Sequence, residues 1–472
     1  MNDVIAAIAT AWGESGISVI RLSGAGTVAL VDPFLRGGRL LSDEPPRRMV
    51  LRNVVDASSE VVDQVLAVRF EHGASYTGEE SVEVHCHGGI AASRRCLELF
   101  LSAGARLAMP GEFTKRAFLC GRIDLAQAEA VSGIVRAKSD ASLLSANRSL
   151  LGGLSERIRN LMDELTVIRA ELEAHLDYPE EVELGDDRAL LAHLVETERA
   201  IRELNERCRV GLILENGFSA VILGRPNVGK SSLLNALAGE ERAIVTNIPG
   251  TTRDTVDVSV MHRGLLIRFI DTAGIGEAGD SMEELGMARS LAAMENADVR
   301  VIVLDSSAPF TDEDRAAFLK LTEGSVLDPT SGGRGRPAVV VLNKSDLPGA
   351  LSLRALANPP GEPSRSVREE EIIQLSALTK DGVSSLKDAI FELALKDATI
   401  DGSYAATERT LEVLSETGRC VAEAITTLER SVGMDVTGSL LAEASSSLAS
   451  LLGADATEEL LDAIFSSFCV GK

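Results

Sequence analysis

Gly224-Arg-Pro-Asn-Val-Gly-Lys-Ser231 fits the spacing G-x-x-x-x-G-K-[ST], which cradles phosphates. An apolar run, Phe218 to Leu223, precedes it as a buried strand, and Ser232-Leu-Leu-Asn-Ala-Leu237 opens a helix. Backbone N–H groups around Asn227, Val228 and Gly229 and the helix N-terminus then face anionic oxygens. Lys230 neutralises the β and γ oxygens of the phosphates, and Ser231 offers a hydroxyl to magnesium. Four further signals follow in the order a nucleotide site requires. Asp271-Thr272-Ala273-Gly274 ends the alternating strand Leu265 to Ile270, with Gly274 able to turn tightly around a γ-phosphate. Asn343-Lys344-Ser345-Asp346 ends the apolar strand Ala338 to Leu342, and the Asp346 carboxylate can accept both guanine N–H donors, which adenine does not supply. Ser376-Ala377-Leu378 fits the last loop on the base side, and Thr251-Thr252-Arg253-Asp254 stands where a mobile switch segment belongs. Together they predict a GTP site rather than an ATP site.

Hydrolysis also needs an oriented water and positive charge near the β–γ bridge. The residue after Asp271–Gly274 is Ile275, which cannot orient water, and no arginine is assignable to the charge. Two residues offer substitutes. Asn227 can hold a monovalent cation beside the phosphates, or simply serve as a loop hydrogen bond. Glu283 can position water, or stand as a solvated carboxylate at a helix start.

These loops need elements to hold them. At 472 residues the chain is long enough for about three domains, and 45% hydrophobic content supplies their cores. Residues 1–119 read as mixed α/β, with strands at Ile17–Leu22, Val61–Phe70 and Val82–Cys86 and a helix over Ile90–Ala103 ending at Gly104. Asp124 and Gln127 form a capping-box pattern for a helix running towards Gly152. A second helix carries Leu154, Ile158, Leu161, Leu165, Ile168 and Leu172; a third runs over about 189–214 with Leu190, Leu194, Ile201 and Leu204 inside. Residues 120–216 are thus helical, 217–384 alternate strand and helix as a doubly wound GTPase, and 385–472 return to helices. Each helical group shows one apolar face, so the two are expected to pack together with the GTPase inserted between them.

A net charge of −24 disfavours a general nucleic-acid coat, and one Trp with three Tyr leaves little for base stacking. No apolar run is long enough to span a membrane and the start lacks a signal peptide's basic character, so a cytoplasmic protein is expected. The six cysteines show no C-x-x-C spacing; Cys86, Cys96, Cys120, Cys208 and Cys420 read as reduced core residues. His85-Cys86-His87 lies on a strand, where alternate side chains diverge, which disfavours a metal there.

Beyond the nucleotide loops, the chain carries Ile5-Ala-Ala-Ile-Ala-Thr10, Ile20-Arg-Leu-Ser-Gly24, Tyr76-Thr-Gly-Glu-Glu80, His85-Cys-His-Gly-Gly89, Pro110-Gly-Glu-Phe-Thr-Lys-Arg-Ala-Phe118 and a terminal Cys469-Val-Gly-Lys472. With these marks it resembles, over nearly its whole length, the bacterial tRNA modification GTPase family usually called MnmE or TrmE. The resemblance implies an N-terminal α/β domain that binds a tetrahydrofolate derivative (5,10-methylene or 5-formyl) and forms a homodimer. It implies folate contacts at Arg21, Glu83, Arg122 and Lys472, with Arg122 replacing a more usual lysine. It extends the GTP contacts over Thr246, Asn247, Ile248, Pro249, Gly250, Thr251 and Thr252. Potassium would be ligated by Asn227, Thr246, Ile248 and Thr251, and magnesium by Ser231 and Thr252. Glu283 matches the family's catalytic acid, and Cys469 its functional terminal cysteine. The implied function is a potassium-activated GTPase that, with an FAD-dependent partner in a heterotetramer, modifies position 5 of the wobble uridine of tRNA bound through the complex. The alternative is a ribosome-assembly GTPase that binds RNA directly; such proteins usually add a basic module, and none is visible. Departures from the family pattern fall at Ala11–Ser15, Glu284 and Ala444–Ser447.

Overall fold

Ser81–His87 alternates small apolar and polar residues, and it folds as a strand with Val82, Val84 and Cys86 turned into a core. The computed structural model describes residues 3–177, 187–239, 257–271, 297–311, 337–349, 372–395, 398–430 and 433–472, together with Arg315, Phe318 and Glu323. By internal contacts the chain divides into two units: Met1–Ser132, Ser149–Arg202 and Glu412–Lys472 form one, Gly133–Arg148 and Glu203–Leu411 the other.

The first unit opens with β1 (Ile5–Ile8), β2 (Ile17–Ser23), α1 (Thr27–Val31), β3 (Leu35–Arg36), β4 (Val50–Val55), β5 (Val61–Phe70), β6 (Ser81–His87), α2 (Ile90–Ser102), β7 (Arg106–Leu107) and α3 (Glu112–Leu119). The seven strands form one sheet in the order β3-β4-β5-β6-β2-β1-β7, antiparallel apart from the β1–β7 pair. Helix α2 lies on one face, and Cys96 and Phe100 bury with Ile20, Val84 and Cys86. The three expected strands and the helix are present within a residue or two of the expected bounds. Strand β1 was not expected, because its four residues are buried on both faces and show no alternation. Cys120 departs from expectation: it is exposed, being the C-cap of α3 where the chain turns at Gly121.

Helix α4 (Leu125–Arg136) starts at the expected capping box, Asp124 N donating to Gln127 Oε1 and Gln127 N to Asp124 Oδ1, each at 3.0 Å. The helix expected to continue to Gly152 instead stops, and α5 (Asp140–Leu150) begins afresh after Ser139, whose hydroxyl accepts from Ser142 N at 3.1 Å. Helices α6 (Gly153–Asp177) and α7 (Asp187–Asn216) follow. The expected apolar stripe of α6, Leu154 to Leu172, is buried throughout.

In the second unit come β8 (Phe218–Leu223), α8 (Lys230–Ala238), β9 (Asp257–His262), β10 (Leu265–Asp271), β11 (Val299–Asp305), β12 (Ala338–Asn343), β13 (Ile372–Gln374) and α9 (Val383–Leu395). The sheet order is β13-β12-β11-β8-β10-β9, parallel except for the β9–β10 hairpin. Its central strands are apolar on both sides, as a sheet covered on both faces requires. From β8 the chain first builds outward through β9 and β10, then crosses to β11. The strand order reverses between β8 and β11, and that switch point opens a crevice at the carboxyl ends of the strands.

The last helices are α10 (Glu408–Glu429), α11 (Met434–Leu452) and α12 (Glu458–Ser466). Helix α11 packs on α6, so helices from before and after the GTPase segment do share a core. Among the described residues, no helix is long and apolar enough to cross a membrane.

Candidate functional site

The loops after β8, β11, β12 and β13 all lie at the carboxyl edge of the second unit's sheet, and one side chain ties three of them together. Asn343, 1% exposed at the end of β12, donates Nδ2 to Val228 O at 2.9 Å and accepts Ala377 N on Oδ1 at 3.0 Å. Its approach explains Gly229: the residue has φ +96°, and a Cβ there would stand 2.2 Å from Asn343 Nδ2. Neither condition admits another residue.

Lys230 begins α8 and is buried; Nζ donates to Gly224 O and Arg225 O, both at 2.8 Å. Those two bonds aim the ammonium along the loop and leave one of its three donors for a phosphate. Burial lowers the Lys230 pKa, with the Asp271 carboxylate acting in the opposite direction. Asp346 is oriented by Ser376, whose Oγ donates to Asp346 Oδ1 at 2.6 Å while accepting Thr379 N at 3.1 Å. The Ser376 loop therefore fixes the carboxylate that would read guanine. Leu378 is 83% exposed, as suits a residue at the open edge of a base site.

Sequence reasoning missed Asp305. It ends β11, and its Oδ2 takes Lys344 Nζ at 2.5 Å; the same ammonium donates to Asn227 O at 3.1 Å. Burial would raise the Asp305 pKa, but the bonds from Lys344 and Ser307 outweigh it and lower the value. The available signal was a carboxylate closing an apolar run, Val301 to Leu304, at a strand's carboxyl end. Of the other expected nucleotide residues, Ser231 and Ser232 lie in the first turn of α8 and Asp271 closes β10, buried. Thr246 to Thr252, Thr272 to Gly274 and Glu283 lie outside the described residues.

In the first unit, Arg21 and Glu83 are cross-strand partners on β2 and β6. Arg21 donates Nε to Glu83 Oε1 at 3.0 Å, with Nη2 paired to the same oxygen at 3.0 Å, and its guanidinium stacks 5.3 Å from the Tyr76 ring centre and 5.7 Å from that of Phe113. The Tyr76 hydroxyl bonds Thr114 Oγ1 at 2.9 Å; burial raises its pKa. Arg122 Nη1 donates to Gly73 O at 3.2 Å. The chain end is docked rather than loose: Gly111 N donates to Cys469 O at 3.4 Å, and Gly471 lies so close to β1 that a Cβ would stand 2.6 Å from Ile8 O. Cys469 is exposed and Lys472 half-buried. His85 and His87 face away from Cys86, which joins the core; His87 Nδ1 meets Asp63 Oδ1 at 2.6 Å.

Behind this surface runs a charged lattice. Arg116, 1% exposed, bonds Asp3, Glu79 and Glu112, and Arg106 bonds Asp3 and Glu112. It joins α3 to the Glu79 turn and the start of β1.

Residues 125–469 match the description "MnmE helical domain", and residues 4–122 match "GTP-binding protein TrmE N-terminus". The chain is 38% identical over 477 residues to the tRNA modification GTPase MnmE of Clostridioides difficile, covering 100% of each chain. It is 38% identical over 480 residues to the protein of that name from Bacillus subtilis, again over 100% of each, and 37% identical over 472 residues to that of Thermotoga petrophila, over 100% of each. A guanine-nucleotide edge, a docked terminal cysteine and end-to-end likeness thus converge: the chain belongs to the MnmE family of tRNA modification GTPases.

Proposed function

We propose that this chain is the potassium-activated, GTP-hydrolysing subunit of a cytoplasmic complex that modifies tRNA. With an FAD-dependent partner it adds an aminomethyl or carboxymethylaminomethyl group at position 5 of the wobble uridine. The observation that carries the reading is a joined guanine-nucleotide edge, tied through Asn343, in a chain that matches MnmE relatives from end to end.

In this reading, the second unit's loops hold GTP and Asp346 reads the base. Ser231 and Thr252 hold magnesium, while Asn227, with backbone groups of Thr246, Ile248 and Thr251, holds potassium; these cations supply positive charge where an arginine is absent. Glu283 orients the attacking water. The Arg21–Glu83 pair, with Arg122 and Lys472, holds a tetrahydrofolate derivative, which supplies the one-carbon unit when bound. The residues fit such a ligand: Glu83 keeps one carboxylate oxygen outside its bonds with Arg21, and two aromatic rings flank the pair. Cys469 stands with Lys472 at the docked chain end and takes part in the modification. The chain acts as a homodimer through residues 1–119, with 120–216 and 385–472 as one helical domain around the GTPase, 217–384. The partner carries flavin and most of the tRNA contact, which suits a chain of net charge −24.

The test is nucleoside mass spectrometry of tRNA from a bacterium lacking its own copy, supplied with this chain and its cognate partner. Restored wobble modification that disappears with Glu283→Ala or Cys469→Ser is expected. GTP turnover without modification, accompanied by tight binding to ribosomal RNA, would turn the reading to a ribosome-assembly switch. Hydrolysis is expected to be faster in potassium than in sodium, with the difference removed by Asn227→Ala; equal rates in both salts would remove the cation assignment.

A further inference from the structure

Glu83 and His85 are two residues apart on β6 and project from the same face. Arg21 pairs with Glu83 through Oε1, and Oε2 faces the other way, towards His85 Nε2 at 3.6 Å. That separation is too long for a hydrogen bond. His85 Nε2 is out of solvent and has no hydrogen-bond partner. Most buried polar atoms in native proteins are paired, and this one sits beside a half-occupied carboxylate, so one ligand edge could satisfy both.

We propose that His85 is a specificity-determining residue for the folate reading above: Nε2–H and Glu83 Oε2 act as an adjacent donor and acceptor for the lactam edge of a 4-oxopterin. The acceptor takes the ring N3–H, and the donor meets the C4 carbonyl. An amino group at C4 reverses that pattern, placing a donor against the Nε2–H donor and an unprotonated ring nitrogen against the carboxylate. Donation from the atom facing Oε2 requires a proton on Nε2. The exposed Tyr76 ring beside Arg21 offers apolar surface for a flat heterocycle. Because Nε2 is covered, ligand entry requires the side chains around it to part.

The arrangement discriminates in the way that hydrogen-bonding sites do. A buried donor left facing another donor rejects the wrong ligand more strongly than an apolar wall would. His85 thus sets which pterins are refused as much as which are held.

The test uses the full-length protein under anaerobic conditions and measures equilibrium binding of tetrahydrofolate and of tetrahydroaminopterin, which differ at C4 alone. Wild type is expected to prefer the 4-oxo compound. His85→Ala is expected to weaken tetrahydrofolate about tenfold or more while affecting the 4-amino analogue far less, so the preference collapses. His85→Gln, which keeps an N–H donor, is expected to retain it. If His85→Ala binds tetrahydrofolate as wild type does, or loses both compounds in parallel at an unchanged ratio, His85 is structural only and the proposal is wrong. Wild type binding neither compound would overturn the folate reading itself, and this assignment with it.

Discussion

Replacing Asn343 by alanine tests whether the nucleotide edge is organised by a single buried amide. The substitution removes two neutral hydrogen bonds and leaves the buried Val228 carbonyl without its donor. Each bond contributes about 1 kcal/mol net, and an unsatisfied buried group adds about 1–3 kcal/mol, so the total is roughly 3–5 kcal/mol. Falling wholly on ligand affinity, that weakens binding about 140- to 4,000-fold. Any share that falls on folding instead appears as a lower Tm, at about 2–4 °C per kcal/mol for a unit of this size. Fluorescence titration with a labelled GDP and a thermal melt of the same sample measure both shares, and their sum should reach the calculated range. A variant that binds GDP within about threefold of wild type and melts at the same temperature would refute the reasoning, because both lost bonds would then have no energetic weight.

Asp305→Ala leaves Lys344 without its carboxylate; GDP binding should weaken about tenfold, as the ammonium is then held only by Asn227 O. Glu112→Gln tests the charged lattice. Burial opposes ionisation there, but Arg106, Met109 N and Arg116 outweigh it and lower the Glu112 pKa below 4.5. A lowered carboxyl stabilises the fold above its unfolded pKa and loses that contribution as pH falls through the folded value. The variant should therefore be less stable than wild type by about 3 kcal/mol at pH 7, and chemical denaturation should find the gap narrowing below pH 4.5. A gap independent of pH would show that the charge is not what matters. Gly471→Ala puts a Cβ 2.6 Å from Ile8 O at φ +92°, so the chain end should lift from β1. Wobble modification should fall while GDP affinity stays at the wild-type value; unchanged modification would show that docking of the terminus is dispensable.

Much of this arrangement is legible in the sequence because its signals are local. The phosphate loop, Asn343–Asp346 and Ser376–Leu378 each follow an apolar strand, and Asp124 with Gln127 caps α4 as their spacing requires. What escaped notice depends on contacts distant in sequence. Strand β1 is buried on both faces and so lacks alternation. The stop before α5 turns on one hydroxyl, Ser139, inside a pattern that otherwise continues as helix. Asp305 matters only because a lysine 39 positions later reaches it. His85 stands within a motif, but its place against Glu83 Oε2 comes from Arg21, 62 residues before Glu83, occupying the other oxygen.

The docking of Cys469 and Gly471 against Gly111 and β1 also bears on the order in which the molecule is made. The second unit ends at Leu411, whereas the first is assembled from three stretches, the last running to Lys472. During synthesis the nucleotide-binding unit has all its sequence before the final stretch emerges, and domains fold as units when their sequence is available. The first unit must wait: its opening strands leave the ribosome early, yet the residues that close over Ile8 and Gly111 come after the whole of the second unit. A truncated product would thus retain a complete nucleotide unit beside an unfinished neighbour, its Gly111 and β1 surface uncovered for chaperones and proteases. Residues 469–472 thereby tie completion of the first unit to sequence made after the nucleotide unit.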